Sequence, residues 1–160
     1  MNFKSAVLVK SEKIEIQHFK VPNILRDDQV LVKIKYAGIC GSQIMEYLGK
    51  RGKDLFLPHA FGHEATGKVL NIGKKVKKIS KNDQVILSWI KGKGLDYGGF
   101  KLQNFKKQKI NFGPISTFSS FAIVSENRVF LKPQNMSSVE AVLYGCAIPT
   151  GAGMVINQLK

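Results

Sequence analysis

Seven short runs in which apolar and polar residues alternate, most of them closed by turn residues, constrain this chain more than any other feature. They cover residues 6–10, 14–18, 30–36, 66–72, 84–87, 121–124 and 129–132. A period of two sends successive side chains to opposite faces of an extended strand, the pattern of a half-buried sheet. Asp27-Asp28, Gly73, Lys81-Asn82-Asp83 and Glu126-Asn127 stand between runs and supply turns. Many short strands at this cadence predict a mainly β, barrel-like core with few helices. One short helix is expected from Ser42, whose hydroxyl can cap it, through Ile44, Met45 and Leu48 to a stop near Gly49. Pro133 closes the last strand, and Ser137-Ser138-Val139-Glu140 offers an N-cap with an acidic first turn ahead of Ala141, Val142 and Leu143. Pro149 and Thr150 then open a further helix over residues 151–159. Residues 90–120 form a Gly- and Lys-rich connection too long for an ordinary turn, and so either functional or mobile.

A chain of 160 residues suits one well-packed domain. No stretch approaches the roughly 20 apolar residues of a membrane-spanning helix, and residues 1–10 lack the apolar run and cleavage site of an export signal. The chain is therefore expected to be soluble and cytoplasmic, with no membrane partner. A net charge of +14 invites a polyanion. The lysines are spread, however, and those within residues 74–109 fall in separate groups, with few arginines and no recognisable nucleic-acid motif, so a solvated basic surface is expected and no nucleic-acid partner.

Cys40 and Cys146 are the two cysteines. In a reducing compartment they stay free or bind metal more often than they pair. A catalytic zinc takes three ligands from Cys, His and acidic side chains and keeps one position open. Cys40, His63 and Cys146 each sit at the boundary of an expected element, where a barrel mouth can gather them. Taken singly, each cysteine reads as readily as a small buried hydrophobe, and the histidine as a hydrogen-bonded polar residue.

Gly62-His63-Glu64-Ala65-Thr66-Gly67, with Gly73 and Val76 following, fits the pattern G-H-E-x2-G-x5-G-x2-V at every fixed position. This is the signature of the zinc-dependent medium-chain alcohol dehydrogenases, and the chain resembles that family in order along nearly its whole length. Tyr36-Ala37-Gly38-Ile39-Cys40-Gly41-Ser42 is similar to the family's first-ligand segment, Leu57-Pro58 leads into the signature, and Asn82-Asp83-Gln84-Val85 is similar to its "GDxV" turn. Tyr144-Gly145-Cys146-Ala147-Ile148-Pro149-Thr150-Gly151 resembles its third-ligand segment.

The resemblance implies a GroES-like catalytic domain over residues 1–150, with residues 151–160 starting a linking helix to an absent dinucleotide-binding Rossmann domain. It implies one catalytic zinc held by Cys40, His63 and Cys146, with NAD or NADP bound by the missing domain. Two thiolates and an imidazole leave such a zinc charge enough to polarise a carbonyl or stabilise an alkoxide during hydride exchange. Glu64 resembles the family's acidic residue beside the metal, and a supporting ion pair fits it equally. Ser42 stands where the family has Ser or Thr and is the expected proton acceptor, a role compatible with capping the helix. Two residues depart from the commonest pattern. Gln43 stands where an Asp often supports the zinc-bound histidine, and Met45 where some members carry a relay histidine. Trp89 fits either the substrate pocket or plain core. Residues 90–120 contain no cysteine, so the structural zinc lobe of many members is expected to be absent. Gly151-Ala152-Gly153 lacks the preceding strand and third glycine of a dinucleotide fingerprint.

The reading that results is the zinc-binding part of an NAD(P)-dependent oxidoreductase interconverting an alcohol and an aldehyde or ketone. Its partner is a small-molecule alcohol or carbonyl substrate, the full-length protein can form a homo-oligomer, and the chain as given is expected to be inactive. The rival is a stand-alone GroES-like barrel acting as a co-chaperonin-like, partner-binding module, which gives the two cysteines and the His-Glu pair no task.

Overall fold

In the computed structural model the described residues are 1–159 apart from Ile24, so Lys160, the end of the expected linking segment, lies outside them. Strands β1 (Asn2–Lys10) and β2 (Lys13–Lys20) form a hairpin that sets Phe3 opposite Phe19 and Leu8 opposite Ile14. Strand β3 (Gln29–Ala37) leads into helix α1 (Gly41–Tyr47), followed by the two-residue β4 (His59–Ala60) and by β5 (Ala65–Ile72). Strands β6 (Gln84–Leu87), β7 (Phe100–Gln103), β8 (Lys109–Gly113), β9 (Phe121–Ser125) and β10 (Val129–Leu131) complete the β part. Helices α2 (Ser138–Val142) and α3 (Ala147–Gln158) close the chain.

The strands form two five-stranded sheets, ordered β2-β1-β4-β8-β7 and β10-β6-β5-β3-β9. All pairings are antiparallel except β4 with β8. The period of two decides where the core lies. Val30 and Val32 of β3 pack with Val69, Val85, Leu87, Val124 and Val129 on one face of the second sheet. Leu31, one residue out of phase, packs on the other face with Phe3, Phe19, Ile110, Phe112 and Ile123. Four consecutive buried residues in β3, Gln29 to Leu31 and Val32, follow from a strand with a core on both sides.

The seven expected strands are all present, most of them one to four residues longer. Three others were not expected: β4, β7 and β8. The last two form an antiparallel hairpin inside the connection over residues 90–120. The start of that connection is held by Glu126, whose carboxylate accepts from the N–H groups of Lys77 and Lys78, both at 2.7 Å, and of Leu95 at 3.0 Å. Burial pushes this carboxyl up, but these N–H groups and the nearby Lys78 ammonium draw it net below the usual range. It is an ordered part of the fold.

Helix boundaries also differ. Cys40, not Ser42, is the N-cap of α1. Ser137 caps α2 as expected, its hydroxyl accepting from the Glu140 N–H at 3.2 Å while Glu140 reaches back to Ser137. Helix α3 begins at Ala147, four residues before the expected start, with Cys146 as its N-cap and Pro149 in its first turn, where a missing N–H costs nothing. The expected boundary between residues 150 and 151 thus lies within α3. Among the described residues no single helix is long and apolar enough to cross a membrane.

Candidate metal centre

Three chain reversals deliver the expected ligands to one place. Cys40 lies between β3 and α1, His63 between β4 and β5, and Cys146 at the head of α3. Their ligand atoms lie within 4.8 Å of one another, and the two sulfurs are 3.9 Å apart as free thiols. A disulfide would need roughly 2 Å between them.

Glycines make this convergence possible. Glu64 is 3% exposed and wedged between the first- and third-ligand segments. A Cβ on Gly38 would lie 2.7 Å from Glu64 Cδ, and one on Gly145 would lie 2.8 Å from Glu64 Cβ and 2.5 Å from the Leu87 carbonyl oxygen. The Gly38 N–H donates to the Glu64 carbonyl at 3.2 Å. Ser88, at the end of β6, donates to the Gly145 carbonyl at 2.6 Å and accepts from the Ile90 N–H at 3.0 Å, which fixes the approach to Cys146. Thr66 in β5 donates to the Ser138 carbonyl at 2.9 Å and ties α2 to the same sheet.

The polar inventory of the cluster is incomplete within the protein. His63 Nε2, Glu64 Oε2 and the Ser42 hydroxyl oxygen are buried, and none of the three has a hydrogen-bond partner. The nearby Ser42 hydroxyl and N–H lower the pKa of the Cys40 thiol, with the Cys146 thiol helping, while burial and the Glu64 charge oppose the shift. Burial pushes the Cys146 thiol up, and its neighbour Cys40 adds to this. Burial also holds the His63 imidazole below its usual value, helped by the Arg51 charge. For Glu64, burial raises the carboxyl, and the Ala147 N–H partly opposes the rise. Gln43, 4% exposed in the first turn of α1, accepts from the Cys40 N–H through Oε1 at 3.0 Å and meets His63 Nδ1 through Nε2.

An unpartnered buried imidazole nitrogen facing two thiols is costly without a ligand. Two sulfurs and one nitrogen are a donor set that suits zinc and leaves a fourth position open. The residues therefore fit the expected metal. Trp89 belongs at the rim and not in the core: it is 47% exposed, and its side chain works against the rise of the Cys146 thiol. Met45, on α1, is also exposed.

Sequence reasoning missed a second group. Glu46 on α1, Asp54 in the following loop and His59 in β4 also bring three metal-capable atoms within 4.8 Å. His59 Nε2 is 2.8 Å from Asp54 Oδ2 and 3.7 Å from Glu46 Oε1. Glu46 and His59 share a cavity of about 460 Å³ with Gln43 and His63. Glu46 follows Gln43 by three positions and so shares its helix face, the only local signal that hinted at this group.

A sequence profile described as the alcohol dehydrogenase GroES-like domain matches residues 26–134. Among curated proteins, the chain is 29% identical over 154 residues to a sorbitol dehydrogenase from Bacillus subtilis, covering 89% of this chain and 42% of the relative. It is 29% identical over 165 residues to a D-arabinose 1-dehydrogenase (NADP(+)) from Saccharolobus solfataricus, covering 98% and 46%. Among solved structures, an alcohol dehydrogenase zinc-binding domain protein from Burkholderia ambifaria superposes with a TM-score of 0.80 at 27% identity, over 99% of this chain and 49% of that one. The benzyl alcohol dehydrogenase from Acinetobacter calcoaceticus gives 0.79 at 25% identity, over 100% and 49%. The chain spans about half the length of these relatives.

Proposed function

Since the chain belongs to the alcohol dehydrogenase family and carries its GroES-like domain, we propose that it is the zinc-binding catalytic part of an NAD(P)-dependent oxidoreductase acting between an alcohol or polyol and its aldehyde or ketone. One observation carries the reading: the Cys40 and Cys146 sulfurs converge with a buried, unpartnered His63 Nε2. The substrate class is carried over from relatives named for sorbitol and D-arabinose. The nicotinamide is assigned to residues beyond those described, in keeping with relatives of about twice this length.

Bound at this centre, zinc would supply Lewis-acid polarisation of the substrate oxygen. The chain's own residues supply the rest. Ser42 inclines Cys40 toward the thiolate, and its buried, unpartnered Oγ is the group assigned to take up the substrate's hydroxyl proton. Gln43 holds the His63 ring and the Cys40 backbone together. Trp89, half-exposed at the rim near Cys146, is the aromatic residue assigned to line the substrate approach. Glu64 sits with a free carboxylate oxygen beside the ligands, within the same packed layer. The co-chaperonin-like alternative draws no support from these dehydrogenase relatives.

The test is elemental analysis of protein purified with zinc and without chelator. One zinc per chain is expected, falling to none in Cys146→Ala. Metal content unchanged in Cys146→Ala would overturn the ligand set.

A further inference from the structure

We propose that Gln43 sets the zinc affinity of this centre, because its single side-chain oxygen cannot serve both of its neighbours once the metal is bound. The proposal rests on the reading of Cys40, His63 and Cys146 as zinc ligands. Gln43 is buried between two groups, the Cys40 N–H and the His63 ring. The backbone N–H only donates, so the amide oxygen belongs on its side, and the NH2 end then faces His63 Nδ1. An amide hydrogen directed at Nδ1 needs a lone pair there. In a neutral imidazole the ring's one hydrogen then resides on Nε2, the nitrogen left without a partner in the cluster.

Metal binding requires the opposite arrangement. The lone pair must be at Nε2 and the hydrogen at Nδ1. Nδ1–H would then confront the amide NH2, a donor facing a donor. Turning the amide over, for which the adjoining cavity gives room, brings its oxygen to Nδ1–H but sets its NH2 against the Cys40 N–H. The mismatch moves from one end of the side chain to the other and is not removed. A buried donor without an acceptor disfavours the loaded state. A carboxylate of the same length has an oxygen for each neighbour, so Gln43→Glu would satisfy both donors and preset the Nε2 lone pair toward the metal. Gln43 is in this sense a positioning residue: it acts through His63 and Cys40 and touches neither substrate nor metal.

The test has two readouts on the full chain at pH 8. Chelator competition with zinc alone should show Gln43→Glu binding about 10- to 100-fold more tightly than the unmodified chain. Gln43→Met, which fills similar space without donor or acceptor, should fall short of Gln43→Glu. Nitrogen-15 NMR of the metal-free proteins should place the His63 hydrogen on Nε2 in the unmodified chain and on Nδ1 in Gln43→Glu, a change that a purely packing role for Gln43 would not produce. Equal affinities for Gln, Glu and Met would overturn the proposal, and so would a hydrogen already on Nδ1 in the metal-free chain. If Gln43→Glu fails to fold, Gln43→Asp replaces it in both measurements, and no gain in affinity with an unchanged tautomer there overturns the proposal. Should the unmodified chain take up no zinc, the proposed function falls and this inference with it; should it take up one zinc with no gain in Gln43→Glu, only this inference falls.

Discussion

Cys40, His63 and Cys146 form one triad of metal-capable atoms, and Glu46, Asp54 and His59 form another, each gathered within 4.8 Å. Gln43 and Glu46, three residues apart on α1, serve one triad each. Spacing does not separate the two, but hydrogen-bond accounting does. In the second triad His59 Nε2 is engaged by Asp54 at 2.8 Å, with Glu46 at 3.7 Å, and His59 Nδ1 lies 3.2 Å from the Ala60 carbonyl oxygen. That group satisfies itself. In the first triad His63 Nε2 is buried with no partner, and the sulfurs beside it are poor hydrogen-bonding groups. A site made for a ligand is recognised by demands its own protein does not meet, so the first triad is read as a metal centre and the second as structural.

The largest expected effect separates the two histidines. His63→Ala should weaken zinc binding by more than about 100-fold, beyond what loss of a supporting residue costs, whereas His59→Ala should still carry one zinc per chain. Chelator competition on both variants checks this. Loss of zinc from His59→Ala, or two zincs in the unmodified chain, would break the comparison.

Next in size is stability. His59 is 7% exposed, and its removal leaves two carboxylates facing each other without the imidazole between them. Breaking a fully buried ion pair costs about 3–5 kcal/mol; with Asp54 and Glu46 only partly buried, about 1–3 kcal/mol is expected for His59→Ala after discounting for solvent. Urea unfolding of the metal-free protein measures it. Asp54→Asn, which keeps a hydrogen-bonding group, should cost less, and no loss in either variant would show that the second triad contributes nothing to the fold.

The same contrast explains what the sequence could reveal. The β architecture was legible because Val30 to Val32 and Val85 to Leu87 alternate against cores that tolerate only one register. Ile110 and Phe112 carry the same alternation in β8, but their run is short and set among lysines and glycines that suggested a loop. The two residues of β4 are too few to show any period. Cys40, His63 and Cys146 are far apart in the chain, and they were linked by the Gly62 to Val76 signature around His63 together with the family-like segments around Cys40 and Cys146. His59 had no such motif. Its role depends on a loop carboxylate and a helix face brought together by the fold. The wrong assignment of the α1 cap has a similar origin: Ser42 is the better capping residue by type, but the turn after Gly38 is fixed by packing on Glu64, and the helix begins where that turn ends, at Cys40.

The smallest expected effect is the pH dependence of the second triad. Burial pushes the Glu46 carboxyl above its usual range; the charges of His59 and Arg51 pull it down, and Asp54 pushes it up, with a net rise. The folded chain therefore holds the Glu46 proton more tightly than the unfolded chain does. By linkage, the stability this adds is complete below the ordinary glutamate pKa and is lost as pH rises through the higher folded value. Glu46→Gln stays neutral throughout, so its stability relative to the unmodified protein should improve as pH rises across that window. Urea midpoints for both proteins, with metal removed, at several pH values from about 4 to about 7 would bracket the transition. The Cys40, His63 and Cys146 centre is common to both chains and cancels in the difference. A variant that instead loses ground as pH rises would mean that the Glu46 carboxylate is favoured in its charged form. The second triad would then behave as a site that holds a cation, and the distinction between the two triads would have to be withdrawn.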